Sequence, residues 1–135
     1  MISKKTKYGL KALAYIARQD RGQMVQIATI SKNENIPHKF LESILLTLKK
    51  SGCLGSKKGK GGGYYLLKKP EEIQMTDIIR VLEGPIAMVP CVSLNYYEKC
   101  DDCADEKSCS VYKLMIQVRD NTLAIFRNTS LADLT

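Results

Sequence analysis

The fold of this chain is constrained most by one segment that has apolar residues at helical spacing, a proline at its start and a glycine at its end. It lies between Pro37 and Gly52, and its apolar stripe consists of Phe40, Leu41, Ile44, Leu45 and Leu48. Proline suits the first helical position, where its missing N–H costs no hydrogen bond, and glycine suits the residue after a helix. The segment from Pro37 to Ser51 is therefore predicted to be an amphipathic helix, with Lys39, Glu42, Ser43, Lys49 and Lys50 facing solvent or a ligand.

Two further helices are predicted before it. Lys4 to Gln19 carries the stripe Tyr8, Ala12, Leu13, Ile16 and Ala17, and Val25 to Asn33 carries Ile27, Ala28 and Ile30. Residues 34–36 form a tight break between the second helix and the third. A short helix, a tight turn and a helix with a polar outer face match the helix-turn-helix arrangement, whose second helix can enter a DNA major groove. Small helical cores contain similar pairs, so this pattern alone leaves both interpretations open.

A glycine-rich basic hairpin is predicted next. Its strands are Cys53 to Lys57 and Tyr64 to Lys68, separated by a loop with four glycines and two lysines. Glycines permit positive φ and close backbone approach, and Lys57, Lys58 and Lys60 supply cations, so the tip suits a phosphate chain or a minor groove. A nucleotide-binding P-loop is excluded, since no Lys-Ser or Lys-Thr follows the last glycine. The alternative is a merely mobile hairpin.

Charge divides the chain into two unlike halves. Residues 1–70 hold 15 Lys and Arg against 3 acidic residues, a net charge of +12. Residues 71–135 hold 6 basic and 11 acidic residues, a net charge of −5. This division favours a polyanion-binding module joined to a regulatory or dimerising element, although a solvated lysine surface would give the same count.

A long helix is predicted near the end of the chain, after a short one at Thr76 to Leu82 that Gly84-Pro85 closes. From Cys109 to Asn128, apolar residues recur at alternating spacings of four and three: Val111, Met115, Val118, Thr122 and Ile125. A 135-residue chain has little core in which to bury this heptad-like stripe. We therefore expect a homodimer, with packing within one chain as the alternative.

Four of the five cysteines lie within residues 91–109. No apolar run approaches the roughly 18 residues of a membrane span, and the start lacks a signal-peptide stretch, so we expect a cytoplasmic protein with no membrane partner. Thiols stay reduced there, which favours a metal or redox site over disulfides. Zinc is less favoured, because Cys100 and Cys103 form a lone C-x2-C pair and the single histidine, His38, lies beside the third helix. Acidic neighbours are expected to raise thiol pKa values, which argues against a catalytic cysteine and an enzyme.

Several segments together resemble the winged-helix transcriptional regulators typified by IscR, NsrR and CymR. They are residues 7–13, 36–42, 61–66, 78–84 and the closing segment 128–134. The resemblance covers nearly the whole chain. It implies a mainly α fold: a winged helix-turn-helix with a two-stranded wing and a long C-terminal dimerisation helix. The implied division is a DNA-binding domain at 1–84, a cysteine-bearing sensor loop at 85–108, and the dimerisation helix and closing segment at 109–135.

The resemblance also implies a DNA-binding surface. Lys39, Phe40 and Glu42 would face base edges, Lys58 takes the wing position that enters the minor groove, and Lys57 and Lys60 would neutralise phosphates. The complete predicted set is Gln26, Lys39, Phe40, Glu42, Lys57, Lys58, Lys60, Gly61 and Tyr64. A dimer would place its two third helices in successive major grooves, about 34–36 Å apart, on a near-palindromic operator in double-stranded DNA.

The cysteines resemble the ligands of the cluster-bearing family members. Cys91, Cys103 and Cys109 take the places of the family's three cysteines, and Cys100 is extra. The fourth ligands known in the family are missing, because Tyr112 stands at the IscR-like histidine position and Lys7 at the NsrR-like aspartate position. We predict that Cys100 completes an all-cysteine iron–sulfur site, either 2Fe–2S or 4Fe–4S.

Such a site would sense redox conditions, nitric oxide or iron–sulfur status through the loop that adjoins the dimerisation helix. Two other interpretations remain open. One is a cluster-free thiol or zinc switch, and the other is a regulator controlled by a protein partner.

Overall fold

The computed structural model describes residues 2–135. It confirms a mainly α fold with a two-stranded antiparallel sheet. The helices are α1 (Lys4–Arg18), α2 (Ile27–Glu34), α3 (His38–Lys50), α4 (Met75–Leu82) and α5 (Ser110–Arg127), and the strands are β1 (Leu54–Lys57) and β2 (Gly63–Leu66). Short 3₁₀ turns lie at Pro70–Glu72, Pro90–Val92, Glu106–Ser108 and Leu131–Leu134. No helix within residues 2–135 has the length and apolar character needed to cross a membrane.

The core lies among the first four helices and the base of the wing. Its fully buried side chains include Leu13, Ile30, Leu41, Ile44, Leu45, Leu48 and Leu54. α1 packs against α4 closely enough that a Cβ at Gly9 would overlap the end of the Leu82 side chain. Glycine at this position therefore lets the Leu82 side chain lie directly against the backbone of α1.

The turn between α2 and α3 is fixed by local hydrogen bonds. Asn35 adopts the left-handed conformation, with φ of 54°, and caps α2. The Ile36 N–H donates to the Ser31 carbonyl at 3.1 Å, and the Ser31 hydroxyl donates to the Ile36 carbonyl at 2.6 Å. Lys11 of α1 donates to the Glu34 carbonyl at 3.1 Å. These bonds hold the end of α2 against α1 and so fix the direction in which α3 leaves.

The wing is tied to the start of α2. Val25 and Tyr64 exchange two backbone hydrogen bonds, of 2.9 and 2.8 Å, which extend the hairpin by one bridge. A Cβ at Gly63, where φ is +145°, would stand 2.6 Å from the Val25 carbonyl oxygen. The base of the wing therefore requires glycine, whereas Gly61 at its tip has nothing within 4 Å.

The structure corrects several sequence predictions. α2 begins at Ile27 and not at Val25, because the backbone of Val25 pairs with the wing. Pro37 is the N-cap of α3 and not its first helical residue. The placement of Phe40 in the buried stripe was wrong: its side chain is 37% exposed, and its ring lies edge-on to Tyr8 with ring centroids 5.6 Å apart.

α5 leaves its predicted apolar stripe only partly covered: Met115, Val118 and Thr122 are half-buried, and Val111 and Ile125 are exposed. Leu123 is its only buried residue, whereas Val111 is 53% exposed and Ile125 is 65% exposed. After α5 the chain returns to the winged part of the molecule. Leu131 is fully buried in the core there, and its N–H donates to the Ile73 carbonyl at 2.9 Å.

Candidate nucleic-acid interface and cysteine cavity

The outer face of α3 presents polar and aromatic side chains near its start. Lys39, Phe40 and Glu42 are all exposed. Tyr8 of α1 supports Phe40 through the edge-on contact, so the Phe40 ring is fixed on one side and open on the other. An exposed face of this kind, on a helix held by a rigid turn, has the shape that enters a major groove.

The wing brings two further predicted residues to the same surface. Gln26 is the N-cap of α2 and directly follows Val25, which is bonded to Tyr64. The pKa of Tyr64 is raised, first by burial and then by the negative charge of Glu42. Gln26, Glu42 and Tyr64 therefore lie around one junction of α2, α3 and β2, although they are far apart in sequence.

The tip of the wing carries unpaired positive charge. Lys57, Lys58, Lys60 and Gly61 are exposed, and Gly59 and Gly61 both adopt positive φ. Within residues 2–135, Glu34 and Asp120 are the only carboxylates that form ion pairs, so these lysines and Lys39 have none. Lysines in this state can approach phosphate oxygens without first breaking a contact.

A separate cavity collects the four clustered cysteines. Its volume is about 280 Å³, and it is lined by Val89, Cys91, Cys100, Asp102, Cys103, Glu106, Cys109, Val111 and Tyr112. Cys91 is buried, the other three cysteines are half-buried, and all are free thiols. The structure thus brings together the four residues that the sequence predicted as a group.

Two of these cysteines are fixed by regular structure. Cys91 belongs to the turn Pro90–Val92, whose Val92 carbonyl accepts a 2.9 Å hydrogen bond from Arg119 of α5. Cys109 is the N-cap of α5, where its Sγ accepts from the Tyr112 N–H at 3.4 Å. The long helix therefore begins at Ser110, one residue after the predicted start, and Cys109 caps it.

Burial and neighbouring thiols raise the pKa values of the other two cysteines. The pKa of Cys100 is raised first by a hydrogen bond with the Cys91 thiol and then by burial. The pKa of Cys103 is raised first by burial and then by the nearby Cys109 thiol. Asp102 raises the pKa of Cys100 and Glu106 raises the pKa of Cys103, as predicted, but both carboxylates contribute less than burial and the neighbouring thiols do.

The cavity fits an iron–sulfur cluster by its donor set and not by its present geometry. Four thiols are the soft donors that such clusters require. Within residues 2–135, however, no three His, Cys, Asp or Glu side chains are arranged to hold a metal ion. Loading the cavity therefore requires the loop to draw the thiols together. Tyr112 lines the cavity, whereas Lys7 lies on α1 and is not among the lining residues.

Sequence reasoning missed three features of this region. Arg119 anchors the cysteine segment to α5, and Tyr97 donates a short hydrogen bond to Glu106, which raises the Tyr97 pKa to about 12. An apolar groove of about 380 Å³ also opens between α4 and α5, where Ile2, Met88, Val118 and Phe126 are among the lining residues. Long-range contacts such as these leave no periodic signal in the sequence.

The chain combines a helix-turn-helix and a basic wing with a cysteine-lined cavity at the start of a long helix. These features define a winged-helix transcriptional regulator. Residues 2–135 match the family Rrf2, described as "Iron-dependent Transcriptional regulator". The chain belongs to the Rrf2 family.

Individual relatives agree with this assignment. The chain is 40% identical over 137 aligned residues to an Rrf2-like helix-turn-helix transcriptional regulator of Rhodobacter capsulatus, covering 99% of this chain and 91% of the relative. Among solved structures, CymR of B. subtilis, called the global cysteine regulator, matches with a TM-score of 0.80 and 32% identity over 99% of this chain and 95% of that one. IscR of T. potens matches with a TM-score of 0.77 and 26% identity over 99% and 85%. These relatives are transcriptional regulators and not enzymes.

Proposed function

We propose that this chain is a dimeric DNA-binding regulator whose DNA affinity follows the state of an iron–sulfur cluster held by Cys91, Cys100, Cys103 and Cys109. The observation that carries the proposal is the convergence of four free thiols on one cavity at the start of α5. The family's description as iron-dependent supports it. The nuclearity, 2Fe–2S or 4Fe–4S, is left open.

A bound cluster would supply a centre that gains and loses electrons and reacts with nitric oxide. The chain supplies the connection to DNA binding. Cys109 caps α5, and Arg119 of the same helix holds the carbonyl next to Cys91. Any change that draws the loop inward or releases it therefore acts on α5 at two points. Because α5 is the proposed dimer helix, such a change alters the separation of the two α3 helices.

The second copy of the chain would cover α5. Val111, Leu114 and Ile125 are each more than half exposed, and the apolar groove beside Val118 and Phe126 continues this surface. Exposed apolar surface of this extent on a small protein indicates an interaction site. A two-fold dimer through α5 would present two α3 helices to a near-palindromic operator.

Each predicted DNA contact has a proposed role. Lys39 donates to guanine, Glu42 accepts from cytosine N4, and Phe40 makes apolar contact with base edges. Lys58 enters the minor groove, and Lys57 and Lys60 bind phosphates. Gln26, Gly61 and Tyr64 lie where α2 and the wing would meet the DNA backbone, with Gly61 allowing close approach.

Anaerobic purification with assays of iron, sulfide and visible absorption tests the cluster, and operator binding of the loaded and stripped protein tests its effect. We expect bound iron and sulfide in the wild type and in Cys53→Ser, since Cys53 is outside the cavity lining. We expect their loss in Cys91→Ser. Colourless wild-type protein without iron, purified anaerobically, would contradict the proposal.

The fourth ligand needs its own test. Cys100→Ala is expected to weaken the cluster and alter its absorption spectrum, because neither Tyr112 nor Lys7 offers a comparable donor. Wild-type spectra and stability in this variant would rule out Cys100 as a ligand.

A thiol switch without iron is the second candidate. The four free thiols that line one cavity favour it as well, because thiols gathered in this way can be oxidised without iron. Anaerobically purified protein that lacks iron but changes its DNA affinity with thiol oxidation would establish this alternative, and bound zinc would identify a zinc switch. If the isolated chain binds no DNA at any salt concentration, control by a protein partner becomes the better explanation.

A further inference from the structure

We infer that a second cavity, between α3 and α4, binds a free α-amino acid with a small aliphatic side chain. The cavity has a volume of about 170 Å³ and shares no residue with the cysteine cavity. Its walls come from the end of α3, residues 51–53 that join α3 to β1, Lys68, residues 72–74 and α4. We call it the α3–α4 cavity. Its apolar floor and its charged rim match the three parts of such a ligand.

The floor of the α3–α4 cavity is apolar. Leu48, Ile73 and Ile78 line it and belong to the buried core, and Val81 lies at its edge with 37% of the side chain exposed. Sites for drug-sized ligands usually have volumes of roughly 300–1,000 Å³. A smaller cavity with an aliphatic floor therefore fits a small metabolite with a short aliphatic side chain.

The rim carries charges of both signs that do not pair with each other. Lys68, Glu72 and Asp77 line the cavity and are exposed. Within residues 2–135 none of the three belongs to an ion pair. The Lys68 ammonium is therefore out of contact with both carboxylates. A ligand that has an ammonium and a carboxylate can pair with both kinds of group at once.

The acceptors for the ligand ammonium come from one short stretch of chain. An ammonium group has three N–H donors. Glu72 and Asp77 offer carboxylate oxygens, and Gln74 offers an amide oxygen at the same cavity. Gln74 is the N-cap residue of α4, but its side chain makes no capping hydrogen bond, so the amide is free to bind a ligand.

Lys68 is the partner for the ligand carboxylate. The Leu67 N–H donates to the Cys53 carbonyl at 3.2 Å, which brings this end of β2 beside Cys53. Burial raises the pKa of the Cys53 thiol to about 11, and the positive charge of Lys68 partly offsets this. The thiol is therefore neutral near pH 7 and adds no negative charge that would repel the carboxylate.

The cavity adjoins the joint between α3 and the wing. Gly52 has φ of +88° at this joint, and the Cys53 N–H donates to the Leu48 carbonyl at 3.1 Å. A ligand held between the joint and α4 would restrain the wing relative to α3. We therefore expect the ligand to slow amide hydrogen exchange at Leu67, whose N–H is bonded across the joint.

The test is a nuclear magnetic resonance titration of the isotope-labelled full chain with L-valine. We expect saturable shifts at residues 51–53, Lys68 and Asp77. Isobutylamine has the same carbon branch without the carboxylate, and 3-methylbutanoate has it without the ammonium. Each analogue is expected to bind at least about tenfold more weakly than L-valine, because it loses charge-assisted hydrogen bonds on one side of the cavity.

Matched variants test the two sides of the rim. Lys68→Met and Asp77→Asn each remove one charge and nearly preserve the side-chain volume, and each is expected to weaken L-valine binding at least about tenfold. Lys69→Met and Glu71→Gln are the controls, because these exposed residues lie beside the rim in sequence and do not line the cavity. Circular dichroism confirms that each variant is folded.

The absence of a saturable shift with L-valine would overturn the inference. Equal binding of either analogue would do the same, as would L-valine binding that Lys68→Met and Asp77→Asn leave unchanged. The α3–α4 cavity contains none of the four proposed cluster ligands, so the titration and the iron and sulfide assays fail or succeed separately.

Discussion

The Arg119 guanidinium donates to the Val92 carbonyl oxygen at 2.9 Å across 27 residues of sequence. Val92 is 1% exposed, and the Arg119 side chain is 15% exposed, so the bond is shielded from water. It is the contact that fastens the first part of the cysteine segment to α5. Together with the Cys109 cap at the start of α5, it connects the cysteine segment to this helix at two points.

Replacing Arg119 by alanine is expected to lower the free energy of unfolding by roughly 1.5–3 kcal/mol, because a charged donor is lost and a buried carbonyl is left unpaired. Urea denaturation measures this change. Asp120→Asn is the control, since it removes the exposed ion pair with Arg119 and leaves the bond to Val92 in place. Such an exposed pair contributes about 0–1 kcal/mol. Equal losses in the two variants would show that the Val92 bond has no special role.

The sequence predicted best those features that local chemistry controls. Residues within a few positions of each other determine where α3 begins and ends, where the glycine-rich wing lies, and that Cys109 stands at the start of α5. Phe40 was misassigned because helical periodicity cannot distinguish a core position from one that packs edge-on against Tyr8 at the rim. Val25 was misassigned because its strand-like backbone depends on Tyr64, 39 positions later.

The candidate site divides in the same way. The spacing of the four cysteines was enough to group them. The resemblance to known regulators indicated which three of them match the family's cysteines. The anchor from Arg119 and the apolar groove along α5 arise from tertiary packing, which no local pattern records. The burial of Leu131 in the core was likewise invisible, because the closing segment has no period of its own.

Ile125→Asp is expected to convert the proposed dimer to a monomer while leaving the fold of one chain intact, because this side chain is 65% exposed and a buried carboxylate at an interface is costly. Sedimentation velocity measures the change. Leu123→Ala is the matched control on the same helix. Leu123 is 2% exposed, so its loss should cost about 2–5 kcal/mol of stability. A wild-type chain that is monomeric at micromolar concentration would contradict the dimer.

The two wing glycines Gly63 and Gly61 should respond differently to alanine. At Gly63 a Cβ would meet the Val25 carbonyl oxygen at 2.6 Å and φ is +145°, so we expect a loss of roughly 1–3 kcal/mol and a broken bridge to Tyr64. At Gly61 φ is +78° with open space around it, and the cost is about 1–2 kcal/mol of backbone strain alone. Amide hydrogen exchange at Val25 and Tyr64 reports the bridge. Equal protection in both variants would show that the close approach at Gly63 is relieved by movement.

Wing lysines and α3 should affect DNA binding in different ways. Lys57→Ala and Lys60→Ala are each expected to weaken binding to all sequences and to reduce the salt slope by about 1, because each lysine neutralises one phosphate. Lys39→Ala is expected to cost about 1–3 kcal/mol at the base pair it contacts and to relax specificity there. Titrations at several salt concentrations distinguish the two effects.

Lys99→Ala is the control for these titrations, because Lys99 is an exposed lysine in the acidic half of the chain. Its replacement should leave the slope unchanged. An unaltered slope in Lys57→Ala or Lys60→Ala would remove that lysine from the phosphate-binding surface.

Cys53 is expected to be the least reactive thiol towards iodoacetamide near neutral pH. Burial raises its pKa to about 11 from the usual 9.0, and the positive charge of Lys68 only partly offsets this. Two pKa units reduce the thiolate fraction at pH 8 by roughly 100-fold, and the thiolate is the species that reacts. The alkylation rate should therefore continue to rise with pH towards 11.

Lys68→Ala should raise the pKa of Cys53 further and slow the reaction. Peptide-resolved mass spectrometry measures both rates, and a plateau near pH 9 would show that the Cys53 thiol is in contact with water.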